Sequence, residues 1–326
     1  MKTFEDIPTP PDATSTVVVD LPTYGALPET KHVLDRASAL ALKAALATGR
    51  PLLLRGEPGI GKSQLARVAA AVLDRRLLTH TVDARTEPRD LLYTVDAVSR
   101  LAHAQLAGAR SVSKAASLQD IDVMNFVQPG PLWWAYDPAG ARVQAITAKA
   151  SVPTGAEGEG GVVLLIDEID KADPSVPNGL LDAFGNGSFS VEGRRGVEAV
   201  DPRPLVILTT NEERSLPDAF VRRCLVLTLA LPKLPEQRDA FVAALVARGE
   251  ANDAKCERPV LAAAAEAIAD DRIALKSHGV CLPGVAEYLD LLRAVATLAK
   301  EAKAQQMLLG ELRQLATRKH PQEGDG

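Results

Sequence analysis

Aromatic side chains are scarce in this chain, at 4% of 326 residues, while the hydrophobic fraction is 46%. A core must therefore be filled with alanine, leucine and valine, a bias that favours helices. Cysteine is rare as well. Cys224, Cys256 and Cys281 are odd in number, widely spaced and outside any Cys-x-x-Cys arrangement. That excludes a disulfide framework or a thiolate metal site and suits reduced thiols in a cytosol. Long apolar runs are missing too: the longest aliphatic stretch, Val162 to Ile166, is far too short to cross a bilayer. Met1 to Asp20 lacks the basic start and apolar run of a secretory leader, so a cytoplasmic protein without a membrane partner is expected. Finally, there is no excess of positive charge. With 37 basic and 42 acidic side chains the net charge is −5, and the chain as a whole does not attract a polyanion.

The length fits two domains at roughly 100 to 200 residues each. Pro8, Pro10, Pro11, Pro22 and Pro28 fix φ and remove donors, so residues 1–30 read as an extended arm with little structure. Apolar positions recur at helical spacing from His32 to Gly49, and Pro51 to Leu54 reads as a short buried strand. Further aliphatic runs at Val162 to Ile166, Leu205 to Leu208 and Leu225 to Leu229 alternate with helical or irregular segments, which predicts a parallel sheet flanked by helices. Beyond Pro235 only helical patterns remain, at Glu236 to Ala247, Val260 to Ala269, Val285 to Lys300 and Lys303 to Arg318. The predicted organisation is the arm, an α/β domain over 31–232, and a small all-helical domain with a tail over 233–326, the boundary falling near Leu231 to Pro235. Gly155 to Gly161 reads as a flexible turn.

The strongest chemical signal is Gly56-Glu57-Pro58-Gly59-Ile60-Gly61-Lys62-Ser63, followed by Gln64, which fits G-x-x-x-x-G-K-[ST] between a strand and a helix. The glycines let backbone N–H groups wrap a phosphate chain, and a helix starting near Lys62 points its positive dipole end at the same anion. Lys62 is expected at the β- and γ-phosphates, and the Ser63 hydroxyl on Mg²⁺. In Val162-Val163-Leu164-Leu165-Ile166-Asp167-Glu168 a buried strand ends in two carboxylates. Asp167 is expected to hold Mg²⁺ and Glu168 to act as general base on the attacking water, although both residues also suit the start of a solvated loop. A third strand, Leu205 to Thr210, ends at Asn211, an amide able to orient a water against a γ-phosphate or simply to serve in a turn. Then Leu216 to Cys224 reads as a short helix ending in Arg222 and Arg223, either an arginine finger or ordinary cations at a helix C-terminus. Arg194 and Arg195 fall at an expected hairpin tip, facing a pore or solvent.

Gly56 to Ser63, Asp167-Glu168, Asn211 and Arg222-Arg223, in this order and spacing, resemble an AAA+ ATPase. More narrowly, Asp90-Leu91-Leu92-Tyr93, Gln128-Pro129-Gly130-Pro131-Leu132, Leu164 to Asp173 and Asn211 to Cys224 resemble the MoxR group, relatives of magnesium-chelatase motor subunits. The resemblance covers roughly His32 to Lys300. It implies a P-loop fold with a helical lid, ATP and Mg²⁺ as ligands, and a ring, usually a hexamer, in which Arg222 or, preferably, Arg223 acts on the adjacent protomer. It also implies remodelling or activation of partner proteins, often together with a von Willebrand A domain protein. The group carries an insertion after its second strand, which falls here at about 86–142. Between Arg85 and Arg142 there are six basic and six acidic residues, with Tyr93, Phe126, Trp133, Trp134 and Tyr136. A neutral, aromatic segment suits protein contact better than phosphate tracking, and it equally suits packing of the insertion against its own domain.

One departure from the AAA+ pattern stands out. Many members place an arginine, sensor 2, at the start of a lid helix, and Leu282-Pro283-Gly284-Val285-Ala286-Glu287 has none; Arg293 lies two turns farther on. Slow or partner-dependent turnover is therefore expected. A remodelling ATPase for protein clients is the preferred reading, ahead of a nucleotide-gated scaffold and, against the acidic balance, a nucleic-acid motor or loader. No Asn-Lys-x-Asp motif of a small GTPase is present.

Overall fold

A computed structural model describes residues 2–109, 121–155, 161–252, 255–276 and 282–317. Its strands are β1 (Thr16–Leu21), β2 (Thr30–Asp35), β3 (Leu52–Arg55), β4 (Arg76–Thr81), β5 (Tyr93–Val95), β6 (Val127–Pro129), β7 (Val162–Asp167), β8 (Ser188–Val191), β9 (Arg194–Glu198), β10 (Leu205–Thr210) and β11 (Leu225–Thr228). The helices are α1 (Arg36–Thr48), α2 (Lys62–Leu73), α3 (Pro88–Leu92), α4 (Ala97–Ala109), α5 (Pro131–Tyr136), α6 (Pro138–Thr147), α7 (Ser175–Gly179), α8 (Leu181–Asn186), α9 (Asp218–Val221), α10 (Arg238–Ala251), α11 (Arg258–Leu275), α12 (Val285–Leu298) and α13 (Ala302–Thr317). The chain divides into two compact units, one of residues 1–8, 37–55 and 69–227, the other of residues 9–36, 56–68 and 228–326.

The first unit is built on a five-stranded sheet in the order β11-β3-β10-β7-β4. β10 runs parallel to β3 and β7, and β7 parallel to β4, with Thr210 opposite Arg55 and Leu208 opposite Ile166. Such strands are covered on both faces and need unbroken apolar runs. Val162 to Ile166 and Leu205 to Leu208 are buried throughout. Their register brings the carboxyl ends of β3, β7 and β10 to one edge, where a parallel α/β sheet presents its ligand crevice. A cluster holding Leu164, Ile166, Leu208, Val206, Phe184 and Phe220 fills one side.

Two expectations need correction in this unit. The fifth strand, β4, lies in Arg-Leu-Leu-Thr-His-Thr, whose alternating polar residues suit its place at the sheet edge and hide it from a search for aliphatic runs. The aromatic residues of the insertion do not form a contact surface. Tyr93, Phe126, Trp133, Trp134 and Tyr136 are all buried; Trp133 packs edge-on to Phe189, and the Tyr136 hydroxyl donates to Ala183 O at 2.9 Å. With so few rings in the chain, those present go where large apolar area stabilises most. Arg194 and Arg195 open β9 directly after the two-residue turn, and Arg194 is exposed with its guanidinium 4.9 Å from the Trp133 ring centroid.

The second unit carries the helices α10 to α13. Phe241, Leu245, Val260, Leu261, Ile268, Tyr288, Leu291, Leu292 and Val295 form its core. Alanines at 264, 265 and 269 allow α11 to pack closely, as expected of the composition. This unit also contains an antiparallel hairpin of β1 with β2, in which Val19 faces His32. The segment before Thr30 is therefore more ordered than its prolines predict: Val19 and Leu21 alternate inward along β1. Likewise His32 to Asp35, read as helix, belongs to β2, and α1 begins only at Arg36. Residues 156–160, within the predicted Gly155 to Gly161 turn, and Cys281 fall outside the described residues. Among the described residues no helix is long and apolar enough to cross a membrane.

The fate of the aromatic insertion is directly measurable. Trp133→Ala should lower stability by about 3–5 kcal/mol through lost burial and a residual cavity, read as a shift in denaturant midpoint. An unchanged midpoint would restore the surface role for these rings.

Candidate functional site

The glycine loop follows β3 and precedes α2. Gly56, Gly59 and Gly61 have φ of 144°, 73° and 106°, backbone that side-chain-bearing residues rarely adopt. A Cβ at Gly56 would also meet Leu229 O at 2.4 Å, so this position accepts glycine alone. Glu57, Pro58 and Gly59 are exposed, and Ile60 anchors the loop in the interior. Lys62 is buried; its Nζ donates to Gly56 O at 2.6 Å and Glu57 O at 2.9 Å, curling the ammonium into the concave side of the loop. Ser63 and Gln64 occupy the first turn of α2, where Gln64 Oε1 accepts from Arg67 at 3.1 Å. Arg67 in turn donates to Pro22 O and Pro28 O. The prolines that read as an unstructured arm are thus carbonyl acceptors for the helix after the loop.

His32, from β2, lies against this loop: a Cβ on Gly61 would sit 3.5 Å from its Cε1. Burial, reinforced by the positive charge of Arg248 and opposed by Asp35, lowers the His32 pKa to about 4. The ring is therefore neutral at neutral pH and adds no charge beside the loop.

At the carboxyl edge of the sheet in the other unit, six residues are tied into one network. Thr209 Oγ1 donates to Asp167 Oδ1 and accepts from Glu168 N at 2.9 Å. Glu168 has φ 60° and ψ 46°, a left-handed backbone that costs a non-glycine residue of order 1 kcal/mol and turns its carboxylate away from the strand direction. Its Oε2 accepts from Lys171 Nζ at 2.7 Å and its Oε1 faces Asn211 Nδ2 at 3.4 Å. That carboxylate raises the pKa of Lys171, which remains fully protonated. Asp170, buried, accepts from the backbone N–H of Asn211 at 3.2 Å and of Glu213 at 2.9 Å, and so fixes the turn after β10. Asp167, Glu168 and Asn211 are therefore brought together as the sequence predicts. Thr209, Lys171 and Asp170, which hold them, escape a motif reading; the only sequence signal for them is a polar residue placed at or just beyond the end of an apolar strand.

Arg222 and Arg223 are exposed beyond α9. Arg223 Nη1 turns back to Ala219 O at 3.1 Å, the ordinary use of a cation at a helix end. Their backbone is held from elsewhere: the Arg50 guanidinium donates to the carbonyls of Arg222, Arg223 and Cys224. Arg50 is thus the positioning residue for the pair.

Each unit, taken by itself, offers oxygen or amide donors. The Ser63 hydroxyl and the Asp167 carboxylate are the donor types that a hard divalent cation takes, and the loop amides with Lys62 are those that a phosphate takes. Among the described residues no cluster of three or more His, Cys, Asp or Glu side chains forms a metal site of its own.

A strand, glycine loop and helix, on a parallel sheet whose next strands end in acids and an amide, define an α/β P-loop fold with C-terminal helices. The family model for the AAA domain, dynein-related subfamily, matches residues 51–224, more than half of the chain, and the chain belongs to this family. No curated protein matches the sequence. Among solved structures, a variant of RuvB from Thermotoga maritima is similar at 17% identity and a TM-score of 0.43, over 85% of this chain and 68% of that one. The RuvB Holliday junction branch migration motor of the same organism is similar at 18% identity and a TM-score of 0.40, over 84% and 67%. Likenesses this distant carry no functional weight.

The His32 environment fixes a pH dependence. Its folded pKa lies below the unfolded 6.5, so its contribution is complete above pH 6.5 and is lost as pH falls through about 4, about 3 kcal/mol in all. From pH 7 to 4 the unfolding free energy of wild type should fall by about 3 kcal/mol relative to that of His32→Gln; parallel curves would show that His32 carries no such penalty.

Proposed function

We propose that this AAA-family chain is a ring ATPase of the MoxR type that hydrolyses ATP to remodel or activate partner proteins. The observation that carries the reading is Glu168: a carboxylate held in strained left-handed backbone, next to Asn211, at the end of a strand that enters from a buried core. A merely solvated loop has no need of that strain.

In this reading Lys62 and the backbone of Gly56 to Ser63 bind the phosphates, with Glu57, Pro58, Ile60 and Gln64 shaping the loop. Ser63 and Asp167 would hold Mg²⁺, which supplies charge neutralisation on the phosphate oxygens. Glu168 takes a proton from the attacking water, and Asn211 orients that water without adding charge. Arg223, or Arg222, is supplied to the neighbouring protomer of a ring, expected to be hexameric. Support for these roles comes from family membership and from the motif residues, one by one. The MoxR placement rests on the segments quoted above, and with it come a von Willebrand A domain partner, a protein client and a cytoplasmic location. The net charge of −5 speaks against a nucleic-acid track. The grip of Lys171 on Glu168 favours a second reading, a nucleotide-gated scaffold with slow hydrolysis, because the base must leave a 2.7 Å ion pair to act.

Two measurements test the proposal. Glu168→Gln should retain Mg·ATP binding in calorimetry and lose ATPase activity by about 100-fold or more; unchanged turnover rejects the assignment, and partner release that proceeds equally with a non-hydrolysable analogue favours the scaffold. Mixing Lys62→Ala with Arg223→Ala subunits, each inactive alone, should restore part of the activity, since mixed rings contain some intact interfaces. If Arg223→Ala alone keeps wild-type turnover and Arg222→Ala does not, the finger is Arg222.

A further inference from the structure

The head of α12 offers the glycine loop no cation. Ala286 is the residue that faces it: a Cβ on Gly59 would stand 3.0 Å from the Ala286 Cβ, and Glu287 Oε2, next in line, already accepts from Gly284 N at 2.9 Å. Yet a cation does reach the loop from the same helical unit. Arg272, in the last turn of α11, extends Nη2 to Glu57 Oε2 at 2.6 Å, while Nη1 donates to Pro283 O at 3.0 Å and the guanidinium lies 5.7 Å from the Phe241 ring centroid.

The two ends of this ion pair are unlike. The Arg272 side chain is 11% exposed and fixed by three contacts; that of Glu57 is 53% exposed. Arg272 is therefore the stationary member and Glu57 the exchangeable one. Glu57 also sits next to Gly56, whose carbonyl, like that of Glu57 itself, accepts from Lys62 Nζ. A phosphate chain on the loop amides competes for that ammonium and places several negative charges beside the Glu57 carboxylate. Repulsion between the two anions weakens the hold of Glu57 on Arg272, and the same phosphates offer the guanidinium a better acceptor.

Resting on the reading of the loop as a nucleotide site, we infer that Arg272 is the phosphate-reading cation of the helical unit, delivered from the end of α11, with Glu57 as the carboxylate that competes for it. The exchange couples nucleotide occupancy to the helices that carry Phe241 and Arg272 and to the segment at Pro283 that leads into α12, and by reciprocity those elements set nucleotide affinity. Arg272 here is a binding and positioning residue and moves no proton.

Opposite signs distinguish this from a strut. Calorimetric titration with Mg·ADP and with a non-hydrolysable Mg·ATP analogue should show Arg272→Ala binding about 10-fold or more weaker, Arg272→Lys recovering part of the loss, and Glu57→Gln, which removes the competitor and leaves the arginine, binding severalfold tighter. If Arg272→Ala and Glu57→Gln both weaken binding, the pair only braces the loop and the inference is overturned. Should Arg272→Ala fail to fold, the exposed Glu57→Gln decides by its sign alone. Wild type that binds neither nucleotide removes the proposed function itself, and the inference with it; wild type that binds, with variants that do not follow the predicted signs, removes the inference alone.

Discussion

Carboxylates at the end of a buried strand impose the constraint around which the sheet unit is organised. Asp167, Glu168 and Asp170 fall within four residues, directly after the five buried apolar positions of β7, and a charge there must be hydrogen-bonded or neutralised. The unit meets this with donors from the neighbouring strand: the Thr209 hydroxyl to Asp167, the amides of Asn211 and Glu213 to Asp170, and locally the Lys171 ammonium to Glu168. The consequence is geometric. Because β10 supplies the donors, its terminus must lie in register with that of β7, and the parallel pairing of Leu208 with Ile166 sets that register. A one-residue slip would send every one of these groups to the opposite face.

The second unit works with the opposite charge. Lys62 and Arg272 are both largely buried cations, and each has partners in the loop segment, Lys62 two carbonyls and Arg272 the Glu57 carboxylate. His32 would be a third cation beside Gly61, and burial keeps it neutral. Local charge is thereby limited to what the loop can hold without an outside anion, while the donors needed to grip one stay close to the backbone amides.

Much of this was legible in the sequence, for physical reasons that also explain the gaps. Strands β3, β7 and β10 announce themselves because a buried parallel strand must be apolar along its length; of the two edge strands, β11 keeps an apolar run at Leu225 to Leu227 although none of it is fully buried, whereas β4 carries Arg76, Thr79 and His80 and stays hidden. The helices after Pro235 are readable from 3.6-residue periodicity. The glycine loop, the acid pair and Asn211 are legible because their chemistry restricts residue type at fixed spacing. Thr209, Asp170 and Arg50 are not, since any donor or acceptor of the right reach can hold a backbone or a carboxylate, and only the fold shows which one does. The aromatic insertion was ambiguous in principle: rings at a surface and rings in a core look alike in composition, and burial alone separates them. Arg272 was invisible for a different reason. An arginine expected at the head of one helix is supplied 13 residues before Val285, across a segment that sequence spacing alone cannot fold.

Internal pairing also bounds how such a site can respond. A group that must engage a ligand can be stabilised by the protein only by less than the ligand offers, or it never leaves. Lys62 is held by neutral carbonyls, weaker acceptors than phosphate oxygen, and Glu57 is a single, half-exposed carboxylate against a polyphosphate. Glu168 is held more firmly, by a protonated lysine three residues away and by an amide at 3.4 Å. The gradient runs from easily displaced partners at the loop to a tighter one at Glu168. Phosphate binding therefore demands little rearrangement, whereas freeing the carboxylate demands a compensating partner for Lys171. Among the residues around it, Asp170 and Glu213 already add negative charge at Lys171, so the ammonium need not be abandoned when Glu168 turns. That placement makes release of Glu168 a local exchange between carboxylates.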